Sequence, residues 1–293
     1  MASASSQSAP SASEVLNKAL RKALGGGLAG ASAMVMNVGT LMWLRTAMNY
    51  QYRHGTSTRA AITHLYKEGG IPRFYRGVVP ALVQGPLSRF GDTAANTGVL
   101  ALLESMDSTK GLPVGVKTLC ASGAAALWRI VLMPIDTTKT IMQVEGKNGF
   151  PALKKKFKAN GPSVLYHGAI AASAATFVGH YPWFFTYNYL QERIPKETAT
   201  LRKLARNAVI GFASSLVSDT CSNSIRVIKV YKQSSTEPVT YLQAAKNVIA
   251  SDGVLGLFGR GLKTKLIANG MQGLMFSVFW KFFEEQFNGP ARR

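Results

Sequence analysis

The chain has 293 residues, 47% hydrophobic and 16% charged, and its 34 Lys and Arg against 14 Asp and Glu give a formal net charge of +20. Two cysteines are too few for a disulfide framework, and long uncharged runs with a mean hydropathy of +0.07 argue against an ordinary water-soluble domain. The surplus of positive charge would suit nucleic acid, but the basic residues are scattered between apolar runs and no recognisable nucleic-acid motif accompanies them. Attraction to anionic lipid head groups accounts for the same charge, so no nucleic-acid partner is expected.

In chain order, residues 1–21 form a Ser/Ala-rich tail with Glu14 as its one acid, of a composition shared by transit segments and by plain flexible tails. Residues 23–44 carry no charge and are long enough to cross about 30 Å of hydrocarbon as a helix. The run 168–191 is also free of formal charge, with His180 its only titratable group besides its tyrosines. Other apolar runs are broken by Arg89 and Asp92, by Arg129 and Asp136, and by Asp219 and Arg226. A lone charge in lipid costs about 2.5–3.5 kcal/mol on insertion scales, so such residues are expected to face protein or a wet cavity. Cys120 and Cys221 lie in apolar helical runs and read as buried thiols, whereas His54 and His64 read as solvated residues of a polar loop. The string GGGLAG (25–30) fits Gly-x-Gly-x-x-Gly, but no strand precedes it, and close helix approach at Gly26 and Gly30 explains it better. No metal cluster and no nucleophile–base pair stands out, so neither a metal, a cofactor, a catalytic residue nor an enzymatic activity is expected.

Internal repetition organises the rest. The segments TLMWLRTAMN (40–49), PIDTTKTIMQ (134–143) and CSNSIRVIKV (221–230) each hold a base at the sixth place: Arg45, Lys139 and Arg226. A second set, EGGIPRFYRG (68–77), NGPSVLYHG (160–168) and DGVLGLFGRG (252–261), ends on Gly77, Gly168 and Gly261, which are 91 and 93 residues apart. The chain therefore reads as three units of about 90 residues, each with a long span, a basic loop, a short helix and a second span. Boundaries are expected at a tail 1–21, repeats 22–108, 109–197 and 198–287, and a tail 288–293.

This layout resembles the mitochondrial carrier family over about residues 20–287. The family signature is Pro-x-[Asp/Glu]-x-x-[Lys/Arg], then [Asp/Glu]-Gly-x4-aromatic-[Lys/Arg]-Gly, three times over. The resemblance implies an all-α membrane protein: six tilted transmembrane helices in three pseudo-symmetric repeats, with short matrix helices, around a central cavity. It implies that Pro134 kinks its helix and that Asp136 and Lys139 face the pore axis, the acid of one repeat pairing with the base of the next. In the register above the acid positions are Met42, Asp136 and Asn223, the proline positions Thr40, Pro134 and Cys221, and the bracing glutamine positions Asn49, Gln143 and Val230. Only one ionic link, Asp136 to Arg226, is then expected. The family's second gate, at the ends of the even helices, falls on Ala95–Asn96, Tyr187–Asn188 with Gln191, and Trp280–Lys281 with Glu284. It retains no charged ring, only hydrogen bonds through Asn96, Asn188 and Gln191.

The resemblance further implies a substrate contact at Arg129, with Arg89 and His180 at one depth of the cavity, each twelve residues past its closing glycine. Contact points fall at Gln84, at Ala175–Thr176 and at Ala268–Asn269. Arg76, Gly77, Gly168, Arg260 and Gly261 correspond to the elements that hold cardiolipin, where free N–H groups at a helix start suit phosphate. The function so implied is a multi-pass carrier of the mitochondrial inner membrane moving a small anionic metabolite by alternating access. The alternative is a carrier-fold protein that no longer transports and serves as a structural or adaptor subunit of a larger membrane complex.

Overall fold

The computed structural model of the chain describes residues 27–197 and 199–288; the expectations for the tails and for Gly26 lie outside them. Ten main helices follow one another: α1 (Gly27–His54), α2 (Thr58–Phe74), α3 (Val78–Ser105), α4 (Val114–Val131), α5 (Met133–Glu145), α6 (Gly149–Asn160), α7 (Ala169–Arg193), α8 (Thr200–Ser234), α9 (Tyr241–Gly259) and α10 (Leu262–Asn288). Helices α1, α3, α4 with α5, α7, α8 and α10 pack side to side into a closed ring, and α1, α5 and α8 also touch one another pairwise. The short helices α2, α6 and α9 sit between the long ones of each unit. This is the all-α, three-unit arrangement that the repeats predict.

Glycine chemistry marks the units. Gly70, Gly161 and Gly253 have φ of 63°, 70° and 70°, and Gly77, Gly168 and Gly261 have φ of 82°, 90° and 65°. That left-handed region is open to glycine and strained for other residues: Gly70 and Gly253 kink α2 and α9, Gly161 ends α6, and Gly77, Gly168 and Gly261 directly precede α3, α7 and α10. Ser57 caps α2 by accepting from Ala60 N at 3.2 Å, and Thr240 caps α9 by accepting from Gln243 N at 3.1 Å. Pro134 breaks its rod as expected: α4 stops at Val131, and α5 starts at Met133 with Pro134 in its first turn, where no intrahelical donor is needed. The equivalent rods α1 and α8 run unbroken.

Polarity is distributed inside out. Large apolar side chains stand on the outer surface, among them Leu127 at 65% exposure and Phe185 at 62%, whereas Asn37, Asp136, Gln143, Asn223 and Gln233 are buried. Among the described residues no single helix is long and apolar enough to cross a membrane; Gly115–Val131 and Met133–Asn160, which meet at 64°, pass that test together. The run 168–191, read from the sequence as free of formal charge, does not pass it alone as α7. Apolar packing is split into several clusters. One, formed by Tyr52, Val144, Val227, Val230 and Val248, seals the place where α1, α5 and α8 converge.

Two sequence expectations are corrected. Cys120 and Cys221 are exposed, because they project from the outer face of α4 and α8, where apolar character does not imply burial. His54 and His64 are exposed but not in a loop. They lie on α1 and α2, their rings 4.3 and 5.3 Å from that of Tyr50.

Candidate functional site

A cavity of about 440 Å³ opens inside the ring, with walls from every long helix. It brings together Gln84, Arg129, Thr176, His180 and Asn269, together with Arg45, Asp136, Lys139, Gln143 and Arg226. The side chain of Arg89 lies outside the described residues.

Asp136, 6% exposed, is the hub of the lower cavity. Its Oδ1 lies 2.8 Å from Lys139 Nζ and accepts from Gln84 Nε2 at 2.8 Å. Its Oδ2 takes Lys229 Nζ from α8, and Gln233 Nε2 at 3.3 Å. Lys139 Nζ also donates to Gln84 Oε1 at 2.5 Å. Gln84, expected as a substrate contact, is thus tied into this hub.

The partner of Asp136 is therefore Lys229, not Arg226, whose Nε instead donates to Ser222 Oγ at 3.2 Å on its own helix. The register of the third repeat shifts by three residues: SIRVIKVYKQ (224–233) aligns with PIDTTKTIMQ (134–143). Ser224 then takes the proline position and Arg226 the acid position. Lys229 takes the basic position and Gln233 the brace, replacing Cys221, Asn223, Arg226 and Val230. Geometry supports the shift independently. Gln143 Nε2 meets Met42 Sδ at 3.5 Å, as Gln233 Nε2 meets Asp136 in the next junction. The matching Ile, Lys and Gln at places two, six and ten were the available signal. Asn223, read as a failed gate acid, accepts from Tyr52 OH at 3.0 Å and donates to Phe258 O at 2.7 Å.

Further polar groups lie in or against the cavity wall. Arg129 lies 2.7 Å from Asp92 Oδ2 and also donates to Ser88. His180 Nδ1 and Ser122 Oγ are 3.1 Å apart. Lys265 Nζ lies 3.1 Å from Asp219, which also accepts from Asn269. Thr176 spends its hydroxyl on Ala172 O of its own helix, at 3.0 Å. Arg45 donates to Gln272. Asp92 and Asp219 were read from the sequence only as charges that break apolar runs; Lys229 and Lys265 were not singled out, and each lies one helical turn from a residue that was. Gln143, expected as a brace of the gate, accepts from Asn49 at 2.5 Å.

At the other end of α7, Gln191 donates to Tyr187 OH at 2.9 Å and accepts from Arg206 at 2.6 Å, a link between α7 and α8 rather than a ring. Asn188 is exposed. The side chains of Asn96, Trp280, Lys281 and Glu284 lie outside the described residues. Among the described residues no group of three or more His, Cys, Asp and Glu is placed to hold a metal ion.

The glycine elements carry a second lesson. A Cβ at Gly77 would stand 3.0 Å from Lys139 O, one at Gly168 would stand 3.1 Å from Gln233 Cγ, and one at Gly261 would stand 2.8 Å from Tyr52 Cε1. Each glycine therefore lets its repeat lie against the long helix of the next. Arg76 is half-buried. Arg260 is not a spare cation for a lipid: it is 6% exposed, its Nε 2.8 Å from Asp252 and its NH1 3.4 and 3.2 Å from Tyr52 O and Arg53 O. It grips the C-terminal end of α1. Arg73 does the same to α5, its Nε 2.9 Å from Glu68 and its two NH groups each 2.8 Å from Gln143 O and Val144 O. An acid five or eight residues upstream of each arginine was the signal.

A family model described as "Mitochondrial carrier protein" matches residues 16–104, 110–198 and 201–289. The chain is 26% identical over 172 residues to "Mitochondrial substrate carrier family protein E" of Dictyostelium discoideum, covering 52% of this chain and 56% of that protein. It is 23% identical over 204 residues to "Peroxisomal adenine nucleotide transporter 1" of Saccharomyces cerevisiae (58% and 62%). To "Mitochondrial glycine transporter" of Xenopus tropicalis it is 26% identical over 175 residues (57% and 56%). The chain thus spans less than two thirds of the length of these curated relatives.

Proposed function

The chain belongs to the mitochondrial carrier family, and from that premise we propose that it moves a small anionic solute across the mitochondrial inner membrane by alternating access. One observation carries the reading: the cavity is bounded by all the long helices and is cationic. Arg45, Arg129, Lys139, Arg226, Lys229 and Lys265 line it. Asp92 and Asp136 in the wall, with Asp219 against Lys265, offset three of those six charges. In a low-dielectric wall that surplus attracts an anion and repels a cation.

In this proposal the six rods are tilted membrane spans. The exposed apolar outer face supports it, since lipid tolerates that face and water does not. Charges facing the cavity lower each rod's mean hydropathy without touching lipid. The repeats are taken as 22–108, 109–197 and 198–287. Cardiolipin phosphate would sit at the helix starts after Gly77, Gly168 and Gly261, at the first turns of α3, α7 and α10. Relatives named for an adenine nucleotide, for glycine and for S-adenosylmethionine differ so widely in cargo that none is transferred.

A second reading has its own observation. Of the equivalent positions Met42, Asp136 and Arg226, one alone holds a carboxylate, and a gate with one bridge suits a carrier-fold adaptor of a membrane complex that does not cycle. Reconstitution of the full chain in cardiolipin-containing liposomes with anionic, zwitterionic and cationic solutes decides between them. We expect uptake of an anion that falls at least tenfold in Arg129→Ala, about 1.4 kcal/mol of lost stabilisation. Absence of any uptake by folded, lipid-bound protein would favour the adaptor.

A further inference from the structure

The short helix of the second repeat differs in charge from its two counterparts. α6 carries Lys154, Lys155, Lys156 and Lys158 and no acid, whereas α2 has Glu68 among its bases and α9 sets Asp252 against its one base, Lys246. Leu153 turns inward, packed with Ile141 of α5 and with Val164 and Leu165. Lys156 reaches the end of α8, its Nζ 3.4 Å from Gln233 O. Phe150 and Phe157 stand seven residues apart, hence on one side of the helix, and remain 60% and 43% exposed. At the helical step, Lys154 and Lys158 stand on the outer flank of the two rings, turned further from Leu153 than either. Both lysines are exposed, as are Lys155 and, just before α6, Lys147. Among the described residues no carboxylate forms an ion pair with any of these four. Exposed rings bordered by unmatched lysines are the pattern of a helix lying in a lipid interface, with the rings among acyl chains and the ammonium groups at the head groups. The chain order agrees with that placement: α6 joins the rod α5 to the rod α7, so it lies at an end of the ring.

We infer that α6 docks on an anionic phospholipid leaflet, with Phe150 and Phe157 inserted and Lys154 and Lys158 on the head-group phosphates. Charge complementarity selects this occupant: a helix with four bases and no acid is drawn to a negative surface, at about fivefold in binding per lysine close to it. The contact differs in kind from a phosphate held by backbone N–H groups at a helix start, because side chains make it and any anionic head group serves. Leu153 ties α6 to α5 and Lys156 ties it to α8, so the leaflet holds the helix that bridges the second and third repeats. The inference rests on the membrane-spanning part of the carrier reading and not on transport.

The test is amide hydrogen exchange of the full chain in lipid nanodiscs, with cardiolipin held constant while phosphatidylcholine is replaced by phosphatidylglycerol. Exchange over 149–160 is expected to slow about tenfold with phosphatidylglycerol, to recover in high salt, and to change less in α2 and α9. The double variant Lys154→Gln, Lys158→Gln is expected to lose the response while unfolding in detergent at the wild-type temperature, which separates a lost contact from a lost fold. Phe150→Ala with Phe157→Ala is expected to lose it as well. Lys110→Gln with Lys203→Gln removes the same charge from the opposite end of the ring and is expected to keep it. Equal exchange in the two lipids would overturn the inference, as would a response that survives in the lysine or the phenylalanine variant. Loss of the response in the Lys110, Lys203 variant would overturn it too, by tracing the effect to net charge. Soluble polyglutamate that slows α6 as strongly in neutral discs would make an acidic polypeptide the occupant and overturn the lipid assignment. Absence of solute uptake with the α6 response intact removes the carrier reading and leaves the docked helix. Uptake without an α6 response removes the docked helix and leaves the carrier reading.

Discussion

The junction between the second and third repeats and the junction between the first and second are built in opposite ways. At the former, the cavity side is ionic: Asp136 holds Lys229 and Lys139 together. Beneath it, the end of α8 is met by Lys156, whose Nζ is 3.4 Å from Gln233 O, and by Arg53 of α1, which lies over the Tyr231 ring at 4.2 Å. At the latter, the cavity side is neutral, with Asn49 donating to Gln143 at 2.5 Å. Beneath it Arg73, 2% exposed, is fixed by Glu68 and by two backbone carbonyls. The third junction shares the buried-arginine clamp of the latter, with Arg260 and Asp252 on the end of α1. Where the gate has a salt bridge, the outer clamp is weak, and where the gate has none, a buried arginine closes the end of the helix. In the proposed transport cycle the ring must part, and in this arrangement its opening is resisted once per junction, not twice.

The clamps give the largest expected effect. Arg73→Ala leaves Gln143 O, Val144 O and Glu68 without their donor, and breaking a buried, hydrogen-bonded pair costs about 3–5 kcal/mol. Arg260→Ala exposes the same deficit on α1. We expect both variants to unfold many degrees below wild type in lipid-supplemented detergent. A loss of less than about 1 kcal/mol would show that these arginines are incidental and that the junctions do not differ as described.

Sequence and structure part company here for physical reasons. The three-unit framework was legible because glycines needing positive φ, such as Gly77, Gly168 and Gly261, and the helix-breaking Pro134 carry their conformations in their own chemistry. The third register was not, because Arg226 imitates the base of the motif while occupying the place of its acid. A reversed charge hides an equivalence that only the reach of Lys229 and Gln233 toward Asp136 reveals. Arg73 was missed for another reason, although Glu68 five residues upstream marks it. It shares a decapeptide with Arg76, and which of two neighbouring arginines turns inward depends on a carbonyl pair 70 residues away. Burial of the cysteines was misjudged because apolar surroundings in this fold mark the outer face.

The gate bridge should rank second. Asp136 has donors from four side chains, so Asp136→Ala removes the one anion among Lys139, Lys229 and Gln84, and like charges then face each other. Lys229→Met leaves Asp136 still held by Lys139 at 2.8 Å and by Gln84. We expect Asp136→Ala to cost about 2–3 kcal/mol and Lys229→Met to cost less than half of that. The double variant should restore part of the Asp136→Ala loss, since it removes one of the repelling cations. Additive losses in unfolding midpoints would mean that the two residues do not form one unit.

The smallest effect, and the sharpest test of the contrast, belongs to Lys156. Its ammonium makes one long contact to Gln233 O and is only partly buried; that burial still pushes it below the usual lysine value, against the opposing pull of Glu145. A single flexible ammonium on one carbonyl is worth far less than a fork with two carbonyls and a carboxylate. Lys156→Ala should therefore stay within about 0.5 kcal/mol of wild type in unfolding measurements. Lys156→Arg supplies the missing fork beneath Gln233 and should stabilise the second-to-third junction. If that junction is the one that parts without a clamp, the arginine should also slow exchange in liposomes while raising the unfolding temperature. Faster or unchanged exchange in a stabilised Lys156→Arg protein would mean that the ring parts elsewhere, and that the weak contact at the end of α8 is not what lets it open.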